Sequence, residues 1–393
     1  MLCKAPRRVG LLKAQQRRRF SQQQQKQKSE EGATSSGSIF SGSWKIPATM
    51  GFALIGFLQW QHLNHPTDEE RKTHPAEALR RLPGTHTAFE DTMATERQLQ
   101  SLKLFPYRAA SRLWGEVHDK ELYGSKPSWM REPVYKAWTA VFNCKLDEMK
   151  YPLQDYANLG EFFSRPLKQG VRPFDSAPGH LASPVDGTVT SIGVVNDSTN
   201  VPTLEQIKGA RYRLDELLGD LPSFFTSKTS ASKGKKMFHC VLYLAPGDYH
   251  RIHAPVDWQV EERRHFPGNL FPVNKTAARL IPSLFVENER VALLGEWEHG
   301  FFSLTAVGAT NVGSIVITKE PEFRTNTALQ DPLMGHCITK NYGGKVDTAR
   351  GEEMAQFKLG STVVLVFEAP ESFQFTIKPG DKLILGKCIG KAE

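Results

Sequence analysis

The sequence predicts an α+β protein: N-terminal helices packed on a strand-rich, β-barrel- or sandwich-like domain, preceded by a leader and a single membrane span. Three observations carry this. After Pro173, short β-branched and aromatic runs alternate with Gly, Pro and Asn, the texture of strands and turns. Before it, apolar residues recur at helical steps. At the start, a basic segment without acid precedes an uncharged apolar run.

Residues 1–29 contain nine Lys and Arg and no Asp or Glu, the composition of a mitochondrial presequence, and residues 1–39 are assigned to it. A disordered basic tail is the plainer alternative. The nine bases account for the whole charge excess, since the remaining 41 Lys and Arg face 42 Asp and Glu. The excess charge thus sits in one terminal segment and not on the folded body, which argues against a basic domain surface for phosphate backbones and a nucleic-acid partner.

Ile46 to Trp60 is uncharged but at about 1.5 Å per residue covers only about 22 Å, short of the roughly 30 Å hydrocarbon core. Starting from Phe40 adds only Lys45, which can snorkel, and Trp44 and Trp60 then bracket the stretch, so residues 40–61 read as an anchor. A buried core helix is the alternative. With the bases before the anchor and Asp68, Glu69 and Glu70 after it, the N-terminus belongs on the matrix side and the body in the intermembrane space.

Residues 62–87, with Pro66, Pro75 and Pro83, read as a linker, and 88–170 as a helical region. Leu102, Phe105, Ala109, Leu113 and Val117 form a stripe expected to face the core, with docking on a membrane surface as the sharper alternative. Pro106 should bend or interrupt that helix, and a second apolar-periodic run spans about Trp129 to Phe142.

Residues 171–393 are the β-rich domain. Strands are expected at Gly187 to Val195, Met237 to Leu244, Trp258 to His265, Arg290 to Trp297, Phe301 to Val307, Val312 to Lys319, Thr362 to Phe367, Phe373 to Ile377 and Lys382 to Lys387. Residues 219–236 read as a surface loop and Glu320 to Gly351 as a longer, partly mobile connection. Cys3, Cys144, Cys240, Cys337 and Cys388 are scattered without a C-x-x-C pair, so neither a disulfide scaffold nor a cysteine zinc site is expected.

Four segments are more specific than a strand domain requires: Ser183-Pro184-Val185-Asp186-Gly187, Tyr249-His250-Arg251-Ile252-His253, Phe266-Pro267-Gly268-Asn269 continuing to Asn274, and Phe357-Lys358-Leu359-Gly360-Ser361-Thr362. Each has a bland account. Asp186 beside Gly187 suits an Asx-turn, Gly360-Ser361 suits a strand entry, and His250 with His253 could be core histidines or zinc ligands. Zinc lacks an H-E-x-x-H pattern and would meet the charge of Arg251. G-x-S-x-G and the P-loop pattern are absent. The Gly-Ser step also has a chemical reading, in which the hydroxyl attacks the preceding carbonyl in an N-to-O acyl shift and Gly removes the Cβ that would crowd the approach. An acid and a histidine would supply the base.

Leu359-Gly360-Ser361-Thr362, with the two other motifs Tyr249 to His253 and Ser183 to Gly187 in that chain order, closely resembles the membrane-bound phosphatidylserine decarboxylases of mitochondria and bacteria, over roughly residues 100–390. One departure is Ala355, where the family carries Gly. The resemblance implies a self-processing proenzyme that converts phosphatidylserine to phosphatidylethanolamine and carbon dioxide at the inner mitochondrial membrane. It implies Ser361 as the cleavage serine, Asp186 and His253 as the acid and histidine of the processing triad, and His250 as a companion in turnover. Cleavage after Gly360 would leave a heterodimer of a large chain and a small chain headed by a pyruvoyl group made from Ser361. That group would form a Schiff base with the substrate amine, with no pyridoxal phosphate and no metal. On the residues alone, a biotinyl- or lipoyl-like binding module and a zinc peptidase using His250 and His253 stay open.

Overall fold

The computed structural model describes residues 106–112, 128–195, 203–207, 210–220, 234–273, 281, 283–310, 314–358 and 361–392. The leader, the apolar stretch, the linker, Leu359, Gly360 and most of the 219–236 loop lie outside them. Among the described residues no helix is long and apolar enough to cross a membrane.

A helical turn over 107–112 is followed by α1 (Ser128–Phe142) and α2 (Leu159–Phe163), with α3 (Leu214–Leu218) and α4 (Leu284–Glu287) later in the chain. The strands in chain order are β1 (His180–Ala182), β2 (Gly187–Val194), β3 (Thr203–Ile207), β4 (Ala210–Arg213), β5 (Lys235–Leu244), β6 (Arg251–His253), β7 (Trp258–Phe266) and β8 (Arg290–Trp297). They continue as β9 (Gly300–Gly308), β10 (Ile315–Ile317), β11 (Ile338–Thr348), β12 (Glu353–Phe357), β13 (Ser361–Pro370), β14 (Gln374–Phe375), β15 (Lys382–Leu383) and β16 (Cys388–Lys391).

Eight strands form one antiparallel sheet in the order β11-β7-β8-β9-β13-β5-β2-β15, flanked by small sheets β10-β12-β6 and β1-β16-β14. β13 is central because its run STVVLVFEA is buried along its length, and β-branched and aromatic side chains pack well on both faces of a pleated strand. Phe367 stacks between Phe238 and Phe302, and the one acid of the strand, Glu368, is satisfied by Phe301 N–H at 2.8 Å.

The helical expectation holds for α1, whose buried Tyr135 and Trp138 pack on Phe162 and Phe163 of α2. Asn158 caps α2 by accepting from Glu161 N–H at 2.8 Å. The stripe through Ala109 needs correction at its one described position. Ala109 is exposed, and the turn buries Arg108 and Ser111 instead, because the Arg108 guanidinium reaches Gly268 O, Glu289 and Asp331.

The stretch from Glu320 to Gly351 is not merely a connection, since it holds a 3-10 element, Ala328–Leu333, and the eleven-residue β11. β11 is an edge strand paired only with β7, so backbone bonding orders it with little apolar patterning. Phe373 to Ile377 and Lys382 to Lys387 each contribute a strand of only two residues. Ala355 sits on β12 at a register shift opposite β6, where it is fully buried.

Candidate active site

Ser361 is the first residue of β13, between Leu244 at the end of β5 and Gly308 at the end of β9. Its side chain is fully buried and, among the described residues, its Oγ has no hydrogen-bond partner. A buried hydroxyl left unpaired costs about 1–3 kcal/mol, which a plain strand entry gives no reason to bear. Thr362 Oγ1 beside it is also unpaired.

Backbone bonds join three of the four segments at this end of the sheet, and a side chain holds the fourth. Phe357 N–H donates to His250 O at 3.0 Å, and His253 N–H donates to Pro184 O at 2.9 Å. The buried Asn288 side chain accepts from Phe271 N–H and donates to both Phe271 O and Gly308 O, holding the Phe266 to Val273 segment beside the Ser361 partner. Gly187 is required where β2 meets β5, because a Cβ there would lie 2.7 Å from Tyr243 O. Gly247 is required in the same way, lying so close to the end of α1 that a Cβ would overlap Phe142 O.

His250 is fully buried against Phe163, ring centroids 4.0 Å apart, so the stripe of α1 reaches the site through α2. Its Nδ1–H donates to Asp248 O at 2.8 Å, which leaves the lone pair on Nε2, and that atom has no partner. Burial pushes its pKa down to about 3, the Asp248 carbonyl opposing and Arg165 assisting. The ring is a neutral base at physiological pH.

His253 donates from Nδ1 to Gly351 O at 2.8 Å and accepts at Nε2 from Tyr249 O–H at 3.0 Å. Its pKa is lowered by burial, with Gly351, Glu353 and Asp186 opposing. Asp186 does not bond to His253. Its carboxylate is gripped by Arg172, Nε to Oδ1 at 3.0 Å and Nη2 to Oδ2 at 2.8 Å, and accepts from Leu385 N–H at 2.7 Å. Arg172 also bonds Glu148 at 2.6 Å. Burial alone would lower the Arg172 pKa, but the two carboxylates raise it overall. Arg251 turns to Glu353 and to Ser164 O. Among the described residues the group of donors close enough to share an ion is Asp175, His180 and Cys388, and neither His250 nor His253 belongs to it.

Sequence reasoning missed Arg172 and Asn288 and gave Tyr249 no role. Tyr249 lies inside a quoted motif, but nothing in the spacing shows that its hydroxyl meets His253.

His250 is fully and His253 partly buried, and both have lowered pKa values, so the stability they confer is present above the unfolded value of 6.5 and is lost as pH falls toward the folded values. The melting temperature is therefore expected to drop between about pH 7.5 and about pH 5, with a smaller drop in a His250→Asn variant, as read by thermal unfolding. Tyr249→Phe removes a hydrogen bond to the neutral form of His253 and should raise the pKa of that ring. If His253 is the processing base, the acid limb of the processing profile moves to higher pH in this variant, and an unmoved limb would assign the base elsewhere.

A family model described as phosphatidylserine decarboxylase matches residues 159–391. The chain is 40% identical to phosphatidylserine decarboxylase proenzyme 1, mitochondrial, of Oryza sativa subsp. japonica, covering 74% of this chain and 78% of that protein. It is 41% identical to the mitochondrial proenzyme of Rattus norvegicus, over 76% and 75% of the two chains. It is 38% identical to proenzyme 1, mitochondrial, of Saccharomyces cerevisiae, over 72% of each.

Proposed function

Because the chain belongs to the phosphatidylserine decarboxylase family, and so converts phosphatidylserine to phosphatidylethanolamine and carbon dioxide, we propose that it does so after cutting itself at Ser361. The observation that carries this is the buried, unpartnered Ser361 Oγ at the head of the central strand. The carrier-domain and zinc-peptidase readings give way to family membership.

In the proposed processing the Ser361 hydroxyl loses its proton to a base and attacks the Gly360 carbonyl, and the peptide C–N bond breaks to leave an ester. Loss of the Cα proton then expels the Gly360 carboxylate, and water replaces nitrogen as ammonia to give the pyruvoyl group. His253 is the assigned base, with Asp186 the acid of the triad. Tyr249 O–H occupies His253 Nε2 in the uncut chain, so it relays the proton or moves aside. The site fits the group, because the residue that becomes it already sits in a buried strand end bounded by two neighbouring strands.

The pyruvoyl ketone supplies an electron sink for decarboxylation. His250 Nε2, neutral and with its lone pair unpartnered, is the atom that takes up a proton during turnover and passes it on. Residues 361–370 pair with β5 on one side and through Phe367 with β9 on the other, so the 33-residue small chain, Ser361 to Glu393, stays in the sheet after the cut. The product is thus a heterodimer of the two chains.

Hydride reductant added with phosphatidylserine is expected to join the substrate amine covalently to the first residue of the small chain and abolish activity, as read by the mass of that chain. Pyridoxal phosphate and chelators are expected to change nothing. A small chain that begins with unmodified serine in a preparation releasing carbon dioxide would overturn the pyruvoyl assignment.

The relatives are named as mitochondrial, and the acid-free leader supports the same compartment here. The proposed placement is the inner membrane, N-terminus in the matrix and body in the intermembrane space. Protease added to mitochondria with a ruptured outer membrane is expected to digest the body, and protection until detergent is added would reverse the topology.

A further inference from the structure

Among the described residues, one cluster of donors lies apart from the groups around Ser361. Asp175, His180 and Cys388 each offer an atom within 4.8 Å of the others, and all three residues are half-buried. A carboxylate, an imidazole and a thiol are the donor types that zinc takes. Asp175 Oδ2 and His180 Nδ1 lie 3.0 Å apart, close to the tetrahedral edge of about 3.3 Å that bonds of about 2.0–2.1 Å give. An Asp–His pair by itself would account for that contact, but not for a thiol within reach of both. Cys388 spends its one weak donor on Gly390 O at 3.4 Å, and an ion would take the place of that proton.

The backbone fixes the donors in advance. Asp175 N–H donates to Gly386 O at 2.9 Å, and Asp175 Oδ1 accepts from Ala177 N–H at 3.0 Å while Oδ2 faces His180. The Ala177 N–H and then His180 hold the Asp175 carboxyl below its ordinary pKa, so it is ionised. His180 heads β1 and Cys388 heads β16, and those two strands are paired. Arg350 stands nearby, bonded through Nη1 to Asp175 O and Ala177 O. Its one positive charge is outweighed by the two negative charges of an ionised Asp175 and Cys388.

The donors also come from both sides of the cut, Asp175 and His180 from the large chain and Cys388 from the small one. We propose that Asp175, His180 and Cys388 bind one zinc ion, with water as the fourth ligand, and that this ion fastens the small chain to the large one. The fastening role rests on the cut at Ser361; the ion site does not. No step of the reaction uses these residues, so turnover of the folded protein stays indifferent to chelators and the ion is read in binding and stability. The sequence hides the site, because a single cysteine makes no C-x-x-C pair and its partners lie near the other end of the β-rich domain.

The test uses the full chain, stripped with a chelator, dialysed and supplied with zinc chloride. One zinc per chain is expected by elemental mass spectrometry in the wild type and in Cys337→Ala, which removes an exposed thiol elsewhere. Cys388→Ala and His180→Ala are each expected to weaken binding at least about 100-fold, the upper end of what loss of an outer-shell partner costs. Cobalt chloride is expected to give a thiolate charge-transfer absorption that Cys388→Ala abolishes. In the cut protein zinc is expected to move release of the small chain to higher urea, with no such move in Cys388→Ala. Wild-type protein without stoichiometric zinc, equal binding in Cys388→Ala, or release at the same urea with zinc bound would overturn the proposal. Ser361→Ala, which stays whole, is expected to bind zinc as the wild type does. Zinc held through Cys388 in a wild-type chain that is never cut would overturn the self-processing reading and keep the ion site, so the two failures are told apart.

Discussion

The Ser361→Ala chain is expected to remain uncut at this position and to release no carbon dioxide from phosphatidylserine, a loss of at least about 10⁴-fold in processing. The nucleophile and the precursor of the pyruvoyl group are one atom set, so nothing else in the chain can replace both. A denaturing gel and intact mass read the result. Misfolding is a poor explanation for such a loss, because the hydroxyl removed is buried and unpaired, and its deletion should leave the melting temperature equal or slightly raised. Thr362 supplies an internal check. Its Oγ1 is equally buried and unpartnered, so a small chain starting one residue later would show that the neighbouring hydroxyl can attack in its place. Normal cleavage before residue 361 in the variant would end the self-processing reading.

The second large effect is expected at the groups proposed to activate Ser361. His253→Ala should slow processing by about 10²–10⁴-fold, the usual contribution of a positioned base, and Asp186→Ala should impair it severely. Processing in the parent chain should rise with pH through the lowered pKa of His253 and then level off, so it persists at pH values where an ordinary histidine is already protonated. Normal two-chain protein from His253→Ala would move the base to His250, whose Nε2 is free to accept. Arg172→Ala separates positioning from chemistry. It leaves Asp186 and Glu148 without the cation between them, and breaking a buried pair costs about 3–5 kcal/mol, so both stability and processing fall. Glu148, whose pKa is held down by Arg172 against the opposing pull of burial, contributes stability at neutral pH that is lost as pH falls.

Strands whose own side chains carry the packing signal were legible in the sequence. Arg290 to Trp297 matches β8 residue for residue, and Thr362 to Phe367 lies within β13, because buried central strands must be apolar and β-branched along their length. β11 was not legible: most of its side chains are in water, and its order comes from β7 across a separation no local window spans. For the same reason Ala109 reads as part of a core-facing stripe but stands exposed. Periodicity tells which residues share a helix face, and the Arg108 contacts to Gly268, Glu289 and Asp331 decide which face turns inward.

At the site, Asp186, His250, His253 and Ser361 were singled out because they lie in short motifs that resemble the family's, while their residue types and spacing alone left turn, core-histidine and zinc readings open. The tertiary structure decided what each of them touches. It set the Asp186 carboxylate on Arg172, fourteen residues away in the chain, and His253 Nε2 on Tyr249, while leaving His250 Nε2 and Ser361 Oγ buried and without a partner among the described residues. Hydrogen-bond partners and burial depend on how separate strands converge, and no spacing within one segment encodes that convergence.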